Sequence, residues 1–391
     1  MKLYSKIKTR PEDFVVEEVP LLKPEDEGKY HLLELKKRDV STLEALRIIS
    51  RLEKIPLKDI GFAGLKDRYA VTTQYLTVPV EYSLEESCYK IVRNRWVKVD
   101  KVNFDKEMGF CIKPIGKVNR PLGLGDLKGN KFTVVVRNFE KNLRERFYRN
   151  YEVVRRYGFP NYFGEQRFGS VKSRDDFVLR YLLRGDFDGA LKSYFFGKSQ
   201  IDFWGDWKKL YKTLSPALEE YEKDLIRGLM RGLTPEKAFR ILPKNVRLMF
   251  NFAFQSFLWN EFLREYVEEK YPFVRVPFIN KWKLSYFLEV YDVDYLIQLQ
   301  IPYTGREFRV NDEVLKGIMK KVFRKYGIKE EWFDKEVGGI IVMTDGLRKA
   351  VVFPEGFKIL EKTKRSMKLT FTLPPGSYAT VLLRFLLKGK I

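Results

Sequence analysis

The chain has 391 residues, 45% of them hydrophobic, with 74 Lys plus Arg against 52 Asp plus Glu and a formal charge of +22; it is too long for one ordinary compact domain, so two domains, or one with a large insertion, are expected. A cationic excess of that size attracts polyanions, with nucleic acid the obvious partner, and abundant Lys, Arg and Glu beside scarce His and Cys resembles a heat-adapted composition without explaining the sign of the charge. The single histidine, His31, and the two cysteines, Cys88 and Cys111, cannot supply a His-rich metal site, a thiolate zinc site or a disulfide framework, and a Ser-His-Asp triad would have to use His31.

In chain order, Asp13 to Val19 reads as a strand, and Tyr30 to Lys36 as a second that carries His31 as a structural residue. Ser41 opens a helix with a capping box, Glu44 lying three residues on, and Leu43, Leu46, Ile49 and Leu52 would line one face before Pro56 ends it. Ile60 to Ala63 and Val71 to Val78 read as strands joined by the loop Gly64-Leu65-Lys66-Asp67-Arg68-Tyr69. Strand-like patches follow over 95–118. The glycines at 123, 125 and 129 lead into the strand Lys131 to Arg137, without the Gly-Lys-Ser/Thr ending or the following helix of a nucleotide phosphate cradle.

From Asn142 the pattern turns helical, and Asp175 to Tyr271 is rich in helical spacing and in aromatics such as Phe252, Phe254, Phe257 and Trp259. Strand character returns at Gly339 to Met343 and at Met367 to Leu373. Pro374-Pro375-Gly376 breaks the latter, and Ser377 is placed to cap a final helix. The longest apolar runs, Gly339 to Met343 and Val381 to Leu387, fall short of the roughly 20 residues of a membrane helix, and Met1 opens no secretory signal. A cytoplasmic protein is expected. Strands at both ends around a helix-rich middle make a mixed α/β core interrupted by an insertion.

Carboxylates, lysines, amides and aromatics remain for chemistry. Asp67 stands out by type: between Lys66 and Arg68 it stays ionised at neutral pH, as a nucleophile or base must, although local composition also suits a plain surface acid. The segment Gly61-Phe62-Ala63-Gly64-Leu65-Lys66-Asp67-Arg68-Tyr69-Ala70-Val71-Thr72-Thr73-Gln74 resembles the signature of the TruD family of pseudouridine synthases. Four more segments agree in the family's order: Lys8 to Val16 (KTRPEDFVV), Gly129-Asn130-Lys131-Phe132, Pro160 to Gly169 (PNYFGEQRFG) and Leu373 to Thr380 (LPPGSYAT).

The resemblance implies an α/β (α+β) fold: a pseudouridine synthase catalytic core with a mixed, largely antiparallel sheet flanked by helices over 1–159 and 353–391, and a large helix-rich inserted TRUD domain over 160–352. It implies isomerisation of uridine to pseudouridine in tRNA, at uridine 13, with no metal, no cofactor, no membrane and no obligate protein partner. The catalytic aspartate of the family falls on Asp67, the basic residue paired with it on Lys8, and the uracil-pocket residues on Asn130 and Phe132. Phe132 would stack on the extruded base and Asn130 would orient it, although Phe132 also opens an apolar strand where a core aromatic fits. Asn161 to Gly169 mixes aromatics with Arg167 and suits a junction first and RNA contact second. The family usually carries an acid after the arginine of its closing helix; here Phe385 follows Arg384, which weakens any role for that acid. Two other readings use the same residues: an RNA-binding protein or chaperone without turnover, and a nucleobase glycosidase that releases the base.

Overall fold

The structure is a computed structural model that describes residues 7–139, 141–173, 175–197, 203–306, 309–310, 312–341 and 343–387. The chain forms two compact units, Met1–Gly158 with Val352–Ile391, and Phe159–Val351.

The first unit is built on one mixed sheet of ten strands. Its elements are β1 (Phe14–Pro20), β2 (Tyr30–Arg38), α1 (Thr42–Leu52), β3 (Gly61–Phe62), β4 (Val71–Pro79), β5 (Ser87–Val92), β6 (Arg95–Val99), β7 (Gly109–Val118), β8 (Leu127–Arg137) and α2 (Lys141–Tyr157). The strands Glu355–Lys362 and Ser366–Leu373 and the helix Ala379–Leu387 complete it from the far end of the chain. Across the sheet the order is Glu355–Lys362, Ser366–Leu373, β8, β1, β4, β2, β7, β5, β6, with β3 beside β4. β1 and β4 run parallel and the other neighbours antiparallel. This is the mixed, largely antiparallel α/β core that the family resemblance implies.

Alternation decides which side of each strand is inward. Phe14 and Val16 of β1, Leu33 and Leu35 of β2, Val134 and Val136 of β8, and Leu369, Phe371 and Leu373 are buried. Helix α1 packs over Leu33, Leu35, Leu76 and Val78 with Ala45, Leu46, Ile48 and Ile49, while Leu32, Val118 and Leu122 form a small cluster of their own. The Ser41 hydroxyl accepts from the Glu44 amide at 3.2 Å, as its position before the helix foretold. The apolar face differs from the expected one. Leu43 is 47% exposed and Leu52 37%, because Leu43 lies about 100° round the helix from buried Thr42 and Leu52 ends the last turn. Ser377 does not cap the final helix, which begins at Ala379; its hydroxyl is buried with no hydrogen-bond partner.

The second unit is organised around the long helix Lys244–Lys270. The segment Asn161 to Gly169 belongs to its interior, and Tyr162, Phe163 and Phe168 are buried, so these rings are not platforms for bases. Asn161 is held by Arg348, the Tyr162 hydroxyl donates to Ser285 O, and Asn260 brackets the backbone of Phe163. The Gly339 to Met343 run holds only the two-residue strand Ile340–Ile341, paired with Glu336–Val337; Val342 lies outside the described residues. No helix among the described residues is long and apolar enough to cross a membrane.

The two cysteines make no framework, yet they form one bond. Cys88 of β5 and Cys111 of β7 are direct cross-strand partners joined by a disulfide. Closing a loop across a sequence separation of 23 removes unfolded-state freedom worth about 3 kcal/mol. Reduction is therefore expected to lower the unfolding free energy by about 3 kcal/mol, read by urea denaturation with and without reductant. Thiol reagent applied to the denatured, unreduced chain should label neither cysteine, and labelling of both would contradict the bond.

Candidate active site

The segment before β1 is pinned by its own charges. Asp13, 1% exposed, receives a two-pronged bond from Arg137 of β8 at 2.6 and 2.8 Å and a third from the Arg10 amide at 3.1 Å. Glu12 pairs with Arg38 of β2 at 3.1 Å. A fork on a carboxylate fixes direction as well as distance, so the residues just upstream have little latitude. Lys8 takes a left-handed backbone, φ 56°, a conformation that costs a non-glycine residue on the order of 1 kcal/mol. Its ammonium lies 3.0 Å from Asp67 Oδ2 and 4.0 Å from the centre of the Phe14 ring.

Asp67 sits in the loop between β3 and β4, and the loop's other residues decide its position. Lys66 turns inward and forms an ion pair with Glu18 of β1, both side chains at most 5% exposed. Its amide donates to Thr42 Oγ1 at 3.0 Å, that hydroxyl donates to Gln74 Oε1 at 2.8 Å, and Gln74 Nε2 donates to Gly64 O at 3.2 Å. Tyr69 donates to Thr9 O at 3.1 Å, tying the loop to the Lys8 segment, while Leu65 is 62% exposed. Lys37 of β2, fully buried, donates to the Asp67 carbonyl at 2.8 Å. Asp67 and Lys8 themselves are 22% and 24% exposed, shielded yet reachable.

Strand register places the remaining candidates on the same side of the sheet. Lys37 is opposite Thr72, Thr72 beside Val16, Val16 opposite Phe132 and Phe132 opposite Phe371, and register partners share a face. The next row along contains Leu35 opposite Gln74, and Glu18 opposite Asn130, which faces Leu373. Phe132 is 8% exposed, stacked on Phe371 at 5.4 Å and edge-on to Phe14 at 5.9 Å. It forms a wall and offers little open area. The side-chain oxygens of Asn130 and Thr72 are buried without a protein hydrogen-bond partner. Lys8, Asp67 and Phe132 are thus linked through Phe14, and Asn130 joins them through its register partner Glu18, which pairs with Lys66 beside Asp67.

Burial pushes the Glu18 carboxyl above its usual range, with Lys66 opposing the rise. It also lowers the Lys37 ammonium to about 8, with Asp67 opposing and Lys66 assisting. Neither Glu18 nor Lys37 was picked out by motif. Each carries a signal, because in Phe14-Val-Val16-Glu-Glu18 and Leu33-Glu-Leu35-Lys-Lys37 a charge occupies the inward phase of an alternating strand. Among the described residues no group of three or more His, Cys, Asp or Glu is placed to hold a metal ion.

A family model described as "tRNA pseudouridine synthase D (TruD)" matches residues 2–277 and 294–386. The tRNA pseudouridine synthase D of Aquifex aeolicus is 41% identical over 388 residues, covering 97% of each chain. That of Leptospira interrogans is 28% identical, covering 98% of this chain and 97% of the relative. A crystal structure of a Methanosarcina mazei protein assigned as tRNA pseudouridine synthase D superposes with a TM-score of 0.65 at 25% identity, covering 99% of this chain and 94% of that one.

Removing Lys66 leaves a buried carboxylate without its cation, so Lys66→Met is expected to cost about 3–5 kcal/mol at pH 8. An acid whose folded pKa is raised binds its proton more tightly in the native state, and stability therefore falls as pH rises from the ordinary glutamate range through the raised value. Loss of the cation raises that value further, so the penalty should shrink at pH 5. Denaturation of wild type and variant at both pH values tests this, and a penalty that grows on acidification would contradict the buried pair.

Proposed function

The chain belongs to the tRNA pseudouridine synthase D family, and from that premise we propose that this isomerase converts uridine 13 of tRNA to pseudouridine with Asp67 as its catalytic carboxylate. The observation that carries the assignment is the partly shielded Lys8–Asp67 ion pair at 3.0 Å, on the sheet face that also presents Asn130 and Phe132.

The reaction breaks the N1–C1′ bond, turns the uracil and forms C5–C1′, exchanging the proton on C5 for one on N1. No redox equivalent is consumed. A carboxylate serves each route to that outcome, whether it attacks C1′, attacks C6 or promotes elimination through a glycal. Lys8 aims the Asp67 carboxylate, since a charge-assisted bond is directional.

The target nucleoside must leave its stack, at a cost of a few kcal/mol, before the carboxylate can reach it. Asn130 suits the edge of the extruded base, because its amide can accept from N3–H and donate to a ring carbonyl, and its buried oxygen has no protein partner. Phe132, Phe14 and Phe371 supply the apolar wall. The charge of +22 supplies sequence-independent attraction to the phosphate backbone.

Asp67→Asn is expected to abolish pseudouridine formation while tRNA affinity stays within about twofold, because phosphate contacts dominate binding. The test incubates purified wild type and variant with an unmodified tRNA pool and maps pseudouridine by chemical labelling. A variant that modifies at the wild-type rate sinks the catalytic assignment, and label at a position other than 13 sinks the site.

A further inference from the structure

Among the described residues Lys37 is the one fully buried lysine in the first unit's core, and stability alone does not explain it. A desolvated ammonium is costly, and an apolar side chain of the same length would fill the space without that cost. The bond described for it goes to the carbonyl of Asp67 at 2.8 Å. The charged groups facing it are Asp67 and Lys66, both on the Gly64–Tyr69 loop. Its strand partners, Thr72 of β4 and Phe110 of β7, are uncharged, and α1 turns Ala45, Leu46 and Ile49 toward that side of the sheet.

Residue 67 is therefore held at both ends, its carboxylate by Lys8 and its carbonyl by Lys37. We propose that Lys37 is a positioning residue for the isomerisation, a buried cation that fixes the backbone of Asp67 and adds a second positive charge beneath its carboxylate. This rests on the reading of Asp67 as the catalytic carboxylate. The carboxylate must stay aimed while a bulky nucleoside is drawn in and its base rotates, and the Lys37 bond adds a hold on the residue-67 carbonyl itself to those the loop has at Gly64, Lys66 and Tyr69. Lys66 cannot take this role, because its ammonium is engaged by Glu18. Burial also brings the Lys37 ammonium down to about 8, so it loses its charge in a range where an arginine would keep it.

The test measures single-turnover pseudouridine formation and tRNA affinity for the full chain and for Lys37→Met, Lys37→Arg and Asp67→Asn, from pH 6.5 to 9.5. Lys37→Met is expected to slow the single-turnover rate by about 10- to 100-fold with affinity within about twofold. The wild-type rate should fall above about pH 8 as Lys37 loses its proton. Lys37→Arg should restore most of the rate and remove that alkaline fall, a rescue that a purely packing role would not produce. A folded Lys37→Met with the wild-type rate, or a Lys37→Arg that keeps the same alkaline fall, overturns the proposal. If Lys37→Met does not fold, the profile of Lys37→Arg decides. An active Asp67→Asn removes the reading beneath the proposal; an inactive one beside an unaffected Lys37→Met removes the proposal alone.

Discussion

A buried carboxylate in a sheet must find a cation, and that requirement organises the site. Glu18 points inward from β1 where alternation calls for an apolar residue, and Lys66 answers it. Asp67 is left partly shielded at the surface, next to the ammonium of Lys8. The Thr42, Gln74 and Gly64 bonds close the loop from the other side, so its shape follows from satisfied polar groups and needs no apolar packing of its own. Leu65, the loop's one large aliphatic residue, is exposed accordingly.

The same logic holds the opposite wall. The fork from Arg137 to Asp13 joins the Lys8 segment to β8, and β8 also carries Asn130 and Phe132. Because β1 lies between β4 and β8, three neighbouring strands and the segments leading into them bring an acid, a cation, an amide and an aromatic wall together from widely spaced stretches of chain. Two buried side-chain oxygens without a protein partner, on Asn130 and Thr72, are an expense that a folded chain rarely carries without a use.

Much of this was legible in the sequence. Strong alternation exposed β1, β2, β8 and Ser366–Leu373, and the Ser41 cap marked the start of α1. The long motifs drew attention to Asp67 and Lys8 together, which local composition could not do, since a lysine near a basic terminus ordinarily faces solvent. The supporting cast stayed hidden because its members pair across sequence separations of 30 or more: Glu18 with Lys66, Lys37 with Asp67, Asp13 with Arg137. Pairing at that range depends on strand order, and order is not written in local periodicity. The same reason explains Leu43, which helical spacing alone assigned to the wrong face, and the aromatics of Asn161 to Gly169, whose composition suits RNA but whose burial serves the second unit's interior.

The proposed chemistry requires the side chain at position 67 to meet an extruded nucleoside on this sheet face. Its most direct measurement is a crystal structure of the Asp67→Asn chain with an unmodified tRNA. The expected result is the target uridine out of its stack, its C1′ or C6 within about 3.5 Å of the residue-67 side chain and its base edge on Asn130. A bound tRNA whose flipped uridine lies away from residue 67, or which keeps every uridine stacked, would contradict it.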